Sequence, residues 1–275
     1  IFLDPILSKF TTLEKRCISH DKLVNKYSHF DMIKSFLGII MQGKSDFKAI
    51  ENFRGQSFYR DALALIDTPS NRTIRRRFED NAHIYKTLIS KTNREFLINS
   101  RITPSVHTRG YVPMDVDLTL LDNSNSHKEG IDWTYKGFKG YGAISCHLGT
   151  EGWCLDSKLR PGNLHSHNGA IEFIEENIPF AKQLTSENIL IRVDSGYYSN
   201  EMIVCLAKYE KNGIKYIVKV NNHSEDLSFC HRHAKLRNYG ASINSRQKMI
   251  CFEIGRIFGF EGVNVESRRI IKVIS

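Results

Sequence analysis

The sequence predicts an α/β fold with a mixed sheet and flanking helices, preceded by an all-helical region. Three observations carry this expectation. Residues 1 to about 100 read as helical, with apolar side chains at helical spacing. From about 110 the period shortens, and "YVPMDVDLTLLDN", "YGAISCHLGTEG" and "CLDSKLRPGN" are short segments bounded by Gly, Pro and Asn, which predicts three strands. Helix and strand then alternate, and the order of three strands, helix, strand, helix, strand is that of an α/β layer.

The elements follow in order. "KYSHFDMIKSFLGIIMQG" predicts a helix with Phe30, Ile33, Phe36, Leu37, Ile40 and Met41 near one face, stopped at Gly43. In "SDFKAIENFRG", Ser45 and Asp46 can cap a short helix with Phe47, Ile50 and Phe53 inward. Pro69 and Ser70 mark a turn into the next helix, whose inner face holds Ile74, Phe78 and Ile84. Beyond the three strands, "NGAIEFIEENIPFAKQL" predicts a helix, "ENILIRVDSGYYS" a strand ending on Asp194, "NEMIVCLAKYEKNG" a helix and "KYIVKV" a strand. After 222 only short strand-like pieces stand out, at 248–258 and 268–274. The expected organisation is a helical region over 1–105, an α/β core over 106–222 and a β-rich segment over 223–275.

A chain of 275 residues, 41% of them hydrophobic, can bury one large domain or a domain with a helical appendage. Its 39 Lys and Arg outnumber 30 Asp and Glu, for a formal net charge of +9. That balance points to a polyanionic partner, nucleic acid first and an anionic membrane surface second. Six cysteines lie scattered with no CxxC, the usage of reduced cytoplasmic thiols and not of a disulfide framework. No signal peptide is evident, and no apolar run is long enough to span a bilayer. The chain starts at Ile1, not Met, so a fragment is expected.

Two of the expected strands end in an Asp, in "DVDLT" and "LIRVDSG". Asp117 and Asp194 lie 77 positions apart (194 − 117) and converge at one sheet edge if their strands are neighbours. Convergent carboxylates suit Mg²⁺, which takes hard oxygen ligands, and two such ions can support an in-line phosphoryl displacement. Asp115 shares a strand face with Asp117. Strand-end acids that merely cap turns would look the same.

"MDVDLT", "YKGFKGYGAISCHLGTEGWCLDSKLRPGN" and "LIRVDSGYYSNEM" resemble, in that order, a DDE transposase of bacterial insertion sequences. The nearest group is the one numbered thirteen-eighty, in the branch with a β-rich insertion. That family shows an acid-x-Thr strand, a Tyr/Gly-rich stretch, an LR-x-GN element and an R-x-D-S-G-[FY] strand. "DFKAIENFRGQSFYRDAL" and "TPSNRTIRRRF" are similar to its helical amino-terminal region, and "ESRRIIKVI" to the Arg-Arg strand of the insertion. The resemblance implies an RNase H-like core, with Asp117 and Asp194 as the first two catalytic and metal-binding acids. It implies Mg²⁺ or Mn²⁺ as cofactor. Asp115, Thr119 and Asn163 would support these acids from behind. The third acid, a Glu on a helix after the insertion, has no match, and the chain is expected to stop before it and to be an incomplete, inactive fragment.

The activity so implied is nicking at the element's ends and transfer of a 3′-hydroxyl to target DNA. Double-stranded DNA would be the partner, with two copies of the protein in a synaptic complex in the bacterial cytoplasm, at the nucleoid. Thr73, Arg76 and Arg77 share a helix face able to grip phosphates, and a helix-turn-helix-like module is expected there. Lys136 and Lys139 interleave with Trp133, Tyr135, Phe138 and Tyr141, a composition that can hold backbone and stack bases. Arg160 joins the expected DNA contacts. A non-catalytic DNA-binding remnant and a metal-dependent nuclease with the same core remain as alternative readings. "CHRH" at 230–233, with Cys251 or His223, matches no standard zinc spacing. Ser195 lacks a G-x-S-x-G setting and reads as a polar turn residue.

Overall fold

The structure is a computed structural model that describes residues 3–21, 26–107, 109–220, 228, 240–244 and 247–274, with backbone alone over 240–257 and 267–274. The "CHRH" segment and His223 lie outside the described residues. The chain divides into two compact units, Ile1–Thr103 and Pro104–Ser275.

The first unit is all-helical, with α1 (Leu3–Phe10), α2 (Leu13–Ile18), α3 (His29–Met41), a 3₁₀ helix (Phe47–Phe53), α4 (Ser57–Ala62), α5 (Asn71–Asp80) and α6 (Ala82–Asn99). Helix α3 starts on a capping box: the Asp31 N–H donates to the Ser28 hydroxyl, and the Ser28 N–H donates to the Asp31 carboxylate. Asp46 and Ser70 cap the 3₁₀ helix and α5 by the same chemistry. Gly43 adopts φ +69 just past the end of α3, as its place in the sequence predicts.

The apolar face expected of α3 is rotated in the structure. Met32 and Ile39 are fully buried, whereas Ile40 is 48% and Met41 46% exposed. The helix meets α1, α2, the 3₁₀ helix and α5, so its buried surface wraps round much of its circumference instead of following one stripe. Phe36, Phe47, Phe78 and Tyr85 form a chain of rings with centroids 4.3–5.7 Å apart along the core. Ile74 is buried, and Phe78 and Ile84 pack against the same core.

The second unit is built on a mixed sheet of β1 (Tyr111–Asp122), β2 (Asp132–Trp133), β3 (Lys139–Leu148), β4 (Trp153–Pro161), β5 (Asn188–Val193) and β6 (Ile214–Val218). Strand β3 runs antiparallel between β1 on one side and β4 with β2 on the other, while β5 and β6 extend the sheet in parallel beyond β1. An antiparallel trio continued by two parallel strands is the arrangement of an RNase H-like core. Helices α7 (Ala170–Leu184) and α8 (Asn200–Ala207) supply the crossovers to β5 and β6 that parallel pairing requires.

Strand residues alternate between faces. Val112, Met114 and Val116 of β1, Ile144, Cys146 and Leu148 of β3, and Ile189, Ile191 and Val193 of β5 share the buried face. Phe173, Ile174, Ile178 and Ala181 of α7 are buried too, and α7 lies against β3 and β4. The opposite face carries Asp115, Asp117 and Thr119 on β1 and Arg192 on β5. It is open enough to leave Leu159 of β4 59% and Ile217 of β6 55% exposed.

A separate three-stranded sheet follows, with β7 (Gly240–Asn244), β8 (Gln247–Phe260) and β9 (Val263–Ile274). The pieces expected at 248–258 and 268–274 belong to one long hairpin, paired from Phe260↔Val263 to Met249↔Ile274. Its two-residue loop has Glu261 at φ +48 and Gly262 at φ +79, the two positive values of a type I′ turn. This hairpin lies against α8, with Phe258 edge-on to Tyr198.

Candidate active site

Strands β1 and β5 run parallel with Asp115 opposite Arg192 and Val116 opposite Val193. One step further along this register, Asp117 comes to the level of Asp194, where β5 gives way to a 3₁₀ turn (Ser195–Tyr197). The two acids singled out in the sequence thus each follow the last residue pair of the β1–β5 register. Both are exposed. Each has one carboxylate oxygen held by backbone: the Leu118 N–H donates to Asp117 Oδ1 at 2.8 Å, and the Gly196 N–H to Asp194 Oδ1 at 2.9 Å. A carboxylate fixed at one oxygen and open at the other suits a hard divalent cation. Among the described residues no group of three His, Cys, Asp or Glu is placed to hold a metal.

Asp115 has a different role. Its carboxylate takes a two-pronged ion pair from Arg192, Nε to Oδ1 and Nη2 to Oδ2, both at 2.6 Å. The pair raises the Arg192 pKa above its ordinary value through that hydrogen bond. Sequence reasoning did not single out Arg192, although the spacing held the clue. Arg192 lies 77 positions beyond Asp115, the same offset as Asp194 from Asp117, so pairing one couple pairs the other.

Tyr197, at the end of the 3₁₀ turn that Asp194 caps, is fully buried. Its hydroxyl has no hydrogen-bond partner among the described residues. Burial first, then the Asp117 charge with a smaller push from Asp194, raises the phenol pKa, while Arg160 pulls it the other way. Arg160 donates Nη1 to the Asn168 carbonyl. Its Nε and Nη2 are buried and without a hydrogen-bond partner among the described residues, and desolvation lowers its pKa. The loop after β4 closes over the Asp194 turn, because a Cβ built on Gly196 would lie 2.9 Å from the Ser166 hydroxyl and 3.1 Å from Asp194 Oδ1.

The other expected residues fall as follows. Thr119 is exposed on the Asp117 face of β1. Asn163 donates to Asp132 of β2 at 2.6 Å, tying the "LRPGN" turn to the hairpin instead of reaching the acids. Gly162 makes that turn possible, since a Cβ would meet the Asp132 and Gly140 carbonyls at 2.5 and 2.6 Å. Lys139 lies over the Trp133 ring at 5.5 Å and Lys136 over Tyr135 at 6.0 Å. Both rings are more than half exposed, at 57% and 67%. Tyr141 instead donates its hydroxyl to the Glu129 carbonyl.

In the helical unit Arg76 is exposed, and Arg75 reaches over the Phe47 ring at 5.8 Å. Arg77 turns inward: its Nε is buried and Nη2 donates to the Tyr27 carbonyl at 3.5 Å. The Thr73 hydroxyl sits 2.9 Å from the Ser70 hydroxyl, within the cap. The three do not form one free face.

The model of the transposase DDE domain group 1 family matches residues 10–255, and the chain belongs to that family. Among solved structures, the chain is similar to a piggyBac transposase seen by cryo-EM in a synaptic complex with hairpin DNA, at 13% identity and a TM-score of 0.41. The match covers 96% of this chain and 58% of that one. No curated protein matches. Membership of this family makes residues 10–255 a transposase DDE domain, of a family that generally uses divalent metal ions. No described helix is long and apolar enough to cross a membrane.

Proposed function

We propose that the protein is the transposase of an insertion sequence, which binds the element's ends and carries out Mg²⁺-dependent strand cleavage and strand transfer. One observation carries this reading within the family: Asp117 and Asp194 each follow the last β1–β5 register pair, Val116↔Val193, and each has one carboxylate oxygen fixed by backbone. A divalent cation held there would activate the attacking oxygen and offset charge on the phosphate. Asp117 and Asp194 bind it, and a third acid, a Glu from elsewhere in the protein, completes the set. Lys136, Lys139 and their exposed aromatic partners hold the DNA backbone and stack on bases near the cut. The exposed arginines of α5 grip the element's end. Two copies of the protein bring two ends together.

The test is cleavage of DNA carrying the element's ends by the full-length protein. Asp117→Ala and Asp194→Ala should each abolish Mg²⁺-dependent nicking and leave DNA binding intact. Nicking by either variant at the wild-type rate would remove these acids from the site. A second reading, a DNA-binding remnant without catalysis, draws on the lack of a third acid beside the pair among the described residues. Full-length protein that binds the ends but never cuts them would favour it.

A further inference from the structure

Two large aromatic rings stand out in solvent on one turn of the second unit. Trp133 is 57% and Tyr135 67% exposed. Each has a lysine ammonium over its ring, Lys139 at 5.5 Å and Lys136 at 6.0 Å. The turn that carries them is firmly held. Thr134, between the two, is buried, and both its N–H and its hydroxyl donate to the Phe138 carbonyl at 2.8 Å. The Gly137 N–H donates back to the Thr134 carbonyl at 3.0 Å, and Gly137 takes φ +80 to close the turn. Asn163 ties Asp132, at the base of the turn, to the loop after β4. The rings thus stand on a fixed support, and a ligand meets them at little ordering cost.

Their chemistry narrows the partner. A protein interface buries aromatic rings but is depleted of lysine at its core, and here each exposed ring carries one. Lysine beside an exposed ring suits a nucleic acid strand instead, with ammonium on phosphate and ring on base. A paired duplex shows only base edges in its grooves. A ring can stack only on a base whose face has been freed, so the fitting strand is an unpaired one. The sheet places this surface relative to the acids. Asp132 pairs with Gly140 of β3, and Gly140 pairs with Asp122 of β1, five residues beyond Asp117 (122 − 117). At about 3.4 Å per residue that is about 17 Å along the strand, a span of about five nucleotides of one duplex strand.

We propose that the turn from Trp133 to Lys139 is a platform for unpaired DNA: Trp133 and Tyr135 stack on bases lifted out of the duplex about five nucleotides from the cut, while Lys136 and Lys139 hold the phosphates beside them. The inference rests on the reading of this protein as a transposase that cuts DNA at Asp117 and Asp194.

The experiment follows the fluorescence anisotropy of labelled oligothymidylate, and of a fully paired duplex carrying an element end, on titration with the full-length protein. Thermal melting is recorded alongside. Trp133→Ala should weaken oligothymidylate binding by about fivefold or more, with its salt slope unchanged, and Trp133→Phe should restore much of the loss. Lys139→Gln should instead flatten the salt slope by about 0.7, one phosphate contact on a single strand. Binding of the paired duplex should not respond to Trp133→Ala. Unchanged oligothymidylate affinity in well-folded Trp133→Ala overturns the proposal, as does an equal loss on the paired duplex. If that variant does not fold, Tyr135→Ala decides by the same criteria. Wild-type protein that ignores oligothymidylate but self-associates through Trp133 would assign the surface to a protein partner and overturn it too. Nicking of the end-bearing duplex separates the two levels of inference. Wild-type protein that never nicks it fails the transposase reading, whatever the rings bind. Wild-type protein that nicks it, with rings that make no difference to oligothymidylate binding, fails the platform alone.

Discussion

Asp115 and Arg192 clasp each other across β1 and β5 through two bonds of 2.6 Å, two residues before the point where Asp117 draws level with Asp194. The clasp fixes the register. Slipping a strand by one residue would turn its acid to the opposite face of the sheet, so an ion pair on the face of the acids protects their alignment.

Both partners of the clasp are partly exposed, at 45% and 41%, so solvent screens the pair. A double-mutant cycle with Asp115→Asn and Arg192→Gln should give a coupling of about 0.5–1 kcal/mol in urea unfolding, reduced by high salt. A coupling of zero at low salt would show that the clasp contributes nothing to stability.

Gly196 lies between the Ser166 hydroxyl and the Asp194 carboxylate. Gly196→Ala should displace Asp194 by a few tenths of an ångström and lower metal-dependent nicking by about tenfold or more, since small misplacements of reacting groups are costly. DNA binding should be unaffected. Wild-type nicking by this variant would mean that the turn yields elsewhere.

The arginines of α5 should separate in function. Arg76→Ala should flatten the slope of log affinity against log salt by about 1, the loss of one phosphate contact. Arg77→Ala should instead lower thermal stability, because its guanidinium is engaged inside the helical unit. Equal salt slopes in wild type and Arg76→Ala would take α5 away from DNA.

His29 is buried, with Nδ1 2.8 Å from the Tyr85 hydroxyl. Burial, reinforced by the charge of Arg77, lowers its pKa below the ordinary 6.5. The unfolded chain then takes up a proton near pH 6.5 while the folded one does not. Stability is full above that pH and falls as pH drops from 6.5 toward the folded value. NMR titration should place the His29 midpoint below 6.5, and a midpoint above it would reverse the sign.

Much of this was legible in the sequence where local chemistry decides. Ser70 and Asp46 cap because their side chains reach their own turn, and Asp194 stands out because it follows the last residue of β5, whereas β1 runs on past Asp117 to Asp122 because its pairing with β3 continues there. Arg192 was not singled out because its ion pair with Asp115 depends on strand pairing, which a linear pattern does not display. Arg77 was grouped with Arg76 by helical angle, yet its side chain bends back to the Tyr27 carbonyl, a choice made by tertiary packing. The long hairpin of β8 and β9 was under-read because its strands are too mixed in character for simple alternation to outline.

The parallel contact between β1 and β5 has a consequence for how the enzyme comes into being. Its partners are 77 residues apart in the chain. Closing so long a loop costs entropy before any contact repays it, which makes such pairings late events in folding. If Asp117 and Asp194 act together as proposed, their joint site forms only once this pairing is made.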